Sequence, residues 1–166
     1  MNIVITGSIA YDYLMRFPGY FSDYFIKDEL HQVSLSFLVE EMTQHWGGVA
    51  ANIAYTMAIM GMKPKLMGTA GRDFPDYRKW LDSAGVDTST VRQLDEVFTA
   101  SFFVNTDLDN NQIASFYAGA MSFAKDFRLA DALDSKPDLV VISPNDPKAM
   151  SNLVEECRVS NIRFIY

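Results

Sequence analysis

The chain opens on an unbroken apolar run, NIVIT at residues 2–6, closed by Gly7. β-branched residues with no polar alternation predict a strand covered on both faces, as in a parallel sheet. From 12 to 46 aromatics, β-branched residues and charges mix, and Pro18-Gly19 punctuates a turn. Within that stretch Val33, Leu35 and Phe37 alternate with polar residues, which predicts a half-exposed antiparallel strand. A helix is predicted after Gly48. Ala50, Ala54 and Ala58 fall on one row, Ile53, Met57 and Met60 on the next, and Gly61 stands where a left-handed C-terminal cap belongs.

PKLMGTAG (64–71) predicts a second core strand and FPDYRKWLDSAG (74–85) a helix again ended by glycine, while GVDTSTVRQL is read as a link. This β-α-β alternation predicts a parallel sheet flanked by helices. FTASFFVNT and QIASFYAG, on either side of DLDNN, predict an aromatic-rich hairpin between 98 and 117. A polar helix near 126–133, a core strand in DLVVIS (138–143), a helix starting at Asp146-Pro147 and a final strand in NIRFIY complete the pattern. No internal repeat or linker marks a boundary, so 1–166 is read as part of one domain.

Composition narrows the function classes. Half the residues (49%) are apolar, enough for a buried core, and 14 basic against 21 acidic residues give a net charge of -7. Scattered basic residues on an acidic chain argue against nucleic acid as a partner. No segment approaches the roughly 18 consecutive apolar residues of a membrane span. The single Cys157 precludes an intramolecular disulfide, and MNIVITGSIAYDYL has neither the basic start nor the long apolar run of a secretory leader, so the expected location is cytoplasmic.

The glycine pair in QHWGGVAANIAYTMAIMG (44–61) has two readings. One is close packing of a helix start against a strand. The other is approach of a polar ligand to the unpaired N–H groups of a helix N-terminus, with Asn52 adding a donor and an acceptor. Asp12 lies just past the first strand, at the sheet edge where open α/β folds bind ligands, and its carboxylate suits paired hydroxyls. Other patterns fail on their chemistry. DLDNN starts like a calcium loop, but Gln112 replaces the required glycine and Ala118 the bidentate glutamate, so a hairpin turn is expected. His31 and His45 stand apart from each other and from the cysteine, so no metal site is expected. GTAGRD lacks the dinucleotide spacing. Cys157 is read as packing in an amphipathic helix.

GSIAYD, GGVAANIAYTMAIMG, GTAGRDF and GVDTSTV together resemble, in order, the amino-terminal half of the ribokinase-like (PfkB) carbohydrate and nucleoside kinases, across essentially the whole chain. The resemblance implies a Rossmann-like α/β fold, a mostly parallel sheet with a small β-lid in segments near 12–46 and 98–117. It implies an ATP-dependent kinase acting on a sugar or nucleoside hydroxyl, with Mg²⁺. By position Asp12, Gly48 and Asn52 match the residues that hold sugar hydroxyls, Gly47 completes the turn, and Phe102, Val104 and Tyr117 are lid residues expected to face the substrate. Val49 follows the glycine pair where ribokinases often carry lysine, which disfavours ribose and favours a nucleoside such as adenosine; a fructose-type acceptor stays open.

The family's Gly-Ala-Gly-Asp segment, which supplies its anion hole and catalytic base, has no counterpart here. No catalytic residue is therefore assigned, and the chain alone is expected to be inactive, as the acceptor-binding half of a longer kinase whose missing carboxy-terminal half binds ATP. The alternatives are a non-catalytic sugar- or nucleoside-binding module, or a homodimer formed through the lid.

Overall fold

The structure, a computed structural model, describes residues 1–25 and 34–166. In chain order its elements are β1 (Ile3–Thr6), β2 (Ala10–Arg16), β3 (Glu41–Gly47), α1 (Val49–Ile59), β4 (Lys65–Gly71), α2 (Pro75–Ala84) and β5 (Val91–Leu94). Then come β6 (Ala100–Thr106), β7 (Gln112–Tyr117), α3 (Leu129–Ala132), β8 (Leu139–Ile142), α4 (Pro147–Val159) and β9 (Phe164–Ile165). They form two sheets. One is five-stranded in the order β5-β4-β1-β8-β9, with every pairing parallel; the other is four-stranded in the order β3-β2-β6-β7.

The alternation of β1 explains the layers. Ile3 and Ile5 pack on one face against Ala50 and Ala54 of α1 and Tyr77 and Leu81 of α2. Val4 packs on the other, against Leu153 and Cys157 of α4. Each fully buried side chain of this kind contributes about 1.5–3 kcal/mol, and the alanine row lets α1 lie close to the sheet. Helix ends follow local chemistry. Gly61 and Gly85 adopt left-handed φ values of 87° and 98° after α1 and α2, and the Asp146 carboxylate accepts from Ala149 N at the start of α4. Burial, and then the charge of Glu156, push the Cys157 thiol up to about 11, which suits the packing role expected of it.

Several boundaries differ from expectation. Val33 lies outside the described residues. Leu35 and Phe37 sit in irregular backbone before β3, where the Phe37 ring lies 5.0 and 4.9 Å from those of Phe17 and Phe21. That aromatic cluster, rather than a sheet face, produced the apolar spacing. The supposed link at 85–94 contains β5, which pairs with β4. The polar helix expected near 126–133 is a 3-10 stretch over Gly119–Asp126 followed by the single turn of α3, whose Leu129 and Ala130 N–H groups donate to the Glu156 carboxylate. DLDNN is a hairpin turn: Asp107 accepts from the backbone N–H groups of Phe21, Asp109 and Asn111. Among the described residues no helix is long and apolar enough to cross a membrane.

Candidate functional site

The two sheets meet at the turn between β1 and β2. Ser8 N donates to Pro144 O at 3.0 Å, and Ser143 Oγ donates to Thr6 O at 2.8 Å. From the other side, Val49 N donates to Ser8 Oγ at 2.9 Å and Ala50 N to Ser8 O at 3.2 Å. The chain itself thus satisfies two of the N–H groups at the start of α1 that the sequence offered to a ligand. Gly48 is bound by the same turn. Its φ is 92°, and a Cβ there would lie 2.5 Å from Ser8 O and 2.7 Å from Ala10 N. Gly47 has a different neighbour, since a Cβ on it would collide with the Asp12 carboxylate. Backbone packing at one glycine and a carboxylate at the other account for the pair.

Asp12 projects from β2 on the face that carries Ala10 and Leu14, and the parallel register with β6 sets Phe102 opposite Asp12 and Val104 opposite Leu14. The antiparallel β6–β7 ladder then places Phe116 opposite Phe102. Ser8, Asp12, Gly48, Phe102, Phe116 and Asn145 line a cavity of about 360 Å³. Among the described residues no donor within the chain bonds the Asp12 carboxylate. Burial raises its pKa above the usual carboxylate range, and the charge of His45 opposes that rise. Beneath it, the Tyr77 hydroxyl donates to Gly47 O at 2.9 Å and fixes the floor; burial first, then Tyr11 and Asp12, hold that phenol above its usual range.

The expected site residues divide accordingly. Asp12, Gly48 and Phe102 share the cavity, with Gly47 against Asp12. Val104 is buried farther along the same face. Asn52 is exposed on the first turn of α1 and is not part of the lining. Tyr117 projects from the opposite face, where it lines a more apolar hollow of about 650 Å³ with Tyr13, Phe98 and Phe103. Phe116 was missed. Its signal is the hairpin register: once Phe102 faces Asp12, its cross-strand partner must too. A third hollow of about 480 Å³ between α3 and α4 is lined by Arg128, Asp131 and Glu155 on the helical side of the molecule, away from the sheet junction.

The sequence of residues 9–164 matches the pfkB family of carbohydrate kinases. The chain belongs to that family. It is 32% identical over 137 residues to a nucleoside kinase of Methanothermobacter thermautotrophicus, an alignment covering 81% of this chain and 41% of that protein. It is also similar to the Burkholderia thailandensis nucleoside kinase in complex with inosine, at 36% identity and a TM-score of 0.77, covering 98% of this chain and 50% of the other. The same enzyme in complex with ADP-inosine gives a TM-score of 0.72 at the same identity and coverage. This pfkB-family chain therefore spans about half the length of these relatives. Within it, the described residues contain no group of three His, Cys, Asp or Glu side chains placed to hold a metal ion.

Proposed function

We propose that this chain forms the acceptor-binding part of an ATP-dependent kinase whose acceptor is the ribose of a nucleoside. The observation that carries the reading is Asp12, a carboxylate without a partner among the described residues, set in a cavity beside the rings of Phe102 and Phe116. A carboxylate accepts from two neighbouring hydroxyls, and aromatic faces stack on a base. A sugar alone would leave the two phenylalanines without a partner of their own kind. Val49, 40% exposed at the start of α1, adds no charge beside the cavity, and relatives at 32% and 36% identity carry the name nucleoside kinase.

The chain's own residues orient the acceptor and shelter it: Asp12 fixes the hydroxyls, Gly47 leaves the carboxylate room, and the four-stranded sheet covers the sugar as a lid over residues 10–16, 41–47 and 100–117. ATP is the co-substrate that this reading requires, and the residues of phosphoryl transfer lie in the portion of a longer polypeptide that this chain does not represent. Calorimetry with inosine, adenosine, ribose and fructose tests the acceptor class. Nucleoside binding that disappears in Asp12→Ala is expected. Binding of the free sugars alone would replace the nucleoside by a sugar, and binding of none would reject the reading.

The apolar hollow on the opposite face supports a second reading, in which the sheet joins two copies of the chain through Phe103 and Tyr117. A monomer in sedimentation would discard it.

A further inference from the structure

His45 lies directly across the β2–β3 ladder from Asp12, so both side chains leave the sheet on the cavity face. The two do not pair. Ion pairs among the described residues are Lys65–Asp87 and Lys79–Asp76, and no His45 nitrogen comes within 4.0 Å of the Asp12 carboxylate. They splay along the strands instead. The carboxylate leans over Gly47, whereas His45 Nε2 lies 3.1 Å from Thr43 Oγ1. His45 is exposed on this sheet face, beside rather than among the residues that line the cavity, so a turn of its side chain would bring the ring toward a ligand held by Asp12. On the other flank of Asp12, Phe102 and Phe116 offer neither donor nor charge.

The chemistry of the two groups is complementary. An ionised carboxylate only accepts, so each ligand hydroxyl that donates to it still has lone pairs seeking a donor. An imidazole N–H supplies one. We propose that His45 is a binding residue of the acceptor site, which with Asp12 holds a pair of neighbouring hydroxyls such as those of a ribose ring. The proposal rests on the nucleoside reading of the cavity. It adds to the site a donor from β3, a strand that contributes no other polar contact to Asp12, and it makes recognition depend on the hydroxyl pattern of the sugar as well as on the base.

Calorimetry with inosine, 2′-deoxyinosine and 3′-deoxyinosine on the native polypeptide and its His45→Ala and His45→Gln variants tests this. Inosine is expected to bind about tenfold more weakly to His45→Ala, the loss of one hydrogen bond at the site, with most of the affinity restored by the amide donor of His45→Gln. The penalty should collapse for the one deoxy analogue that lacks the hydroxyl His45 holds, a dependence that a merely structural role would not produce. Melting temperatures close to wild type are expected for both variants, because the side chain is exposed. Equal inosine affinity in all three proteins, or an equal loss on all three ligands, overturns the assignment. If Asp12→Ala loses inosine while the His45 variants do not, the nucleoside reading stands and His45 alone is wrong. If the wild-type protein binds no inosine or other nucleoside, the reading of the cavity falls and His45 falls with it.

Discussion

The two faces of the four-stranded sheet are built from neighbouring residues and do opposite things. On one, Asp12, Phe102 and Phe116 converge on a carboxylate that the described residues leave without a partner. On the other, Tyr13 and Phe103 stack with centroids 4.6 Å apart and planes 8° from parallel, and the Tyr13 hydroxyl receives a bond from Gln44 Nε2 at 3.0 Å. The second face keeps an apolar hollow among its rings; the first holds a carboxylate with no partner among the described residues. Because side chains alternate along a strand, a shift of one residue in register would exchange the two. The contrast teaches that aromatic content alone marks neither face as a binding surface; under the proposed function it is the unpaired charge that does.

Four substitutions bear on this contrast. The largest effect belongs to Asp12→Ala, which should weaken nucleoside binding about a hundredfold through loss of hydrogen bonds to a charged group; retention of affinity in calorimetry would take the site away from this face. Next is the pair Phe116→Ala and Tyr117→Ala. The first should cost about tenfold in nucleoside affinity, as loss of one stacking partner does, and the second almost nothing; the reverse order would mean that the faces have been assigned the wrong way round. Phe103→Ala should lower unfolding free energy in urea by about 1 kcal/mol, the worth of a stacked aromatic pair, while nucleoside affinity stays as it was.

The smallest effect is a pH dependence. Burial raises the pKa of Asp12, so its carboxylate is harder to ionise in the folded chain than in the unfolded one. Folding stability attached to this group is complete below the unfolded carboxylate value of about 3.9 and declines as pH rises through the higher folded value. Asp12→Asn escapes that decline. Its melting temperature should match wild type in acid and exceed it slightly at neutral pH, and a variant less stable at neutral pH would show that the charge is not strained.

The central sheet was legible in the sequence because β1 and β8 are apolar runs closed by Gly7 and Ser143, and α1 and α2 both end in glycine with a positive φ. β5 escaped because VRQL is short and exposes Arg92 and Gln93. β3 was placed too early for a related reason: six of its seven residues are exposed, so no alternation marks it, while the apolar spacing of Leu35 and Phe37 serves an aromatic cluster. Of the residues expected at the site, Asp12, Gly48 and Phe102 line the cavity and Gly47 lies against Asp12. Phe116, which lines the cavity, and His45, proposed to join it, were not expected, because both come to this sheet face through cross-strand register, which depends on turn length and pairing rather than on local residue pattern.

The contact between Gly47 and Asp12 carries a consequence for inheritance. The carboxylate occupies the space that any side chain at position 47 would need, so the two positions are not free to vary independently. A substitution at 47 that is harmful beside aspartate should become tolerable once residue 12 is shortened, and the order in which such changes arise decides which are survivable. A lineage that abandoned the carboxylate would be released from the glycine, whereas one that keeps it must turn the carboxylate aside to admit a side chain at 47.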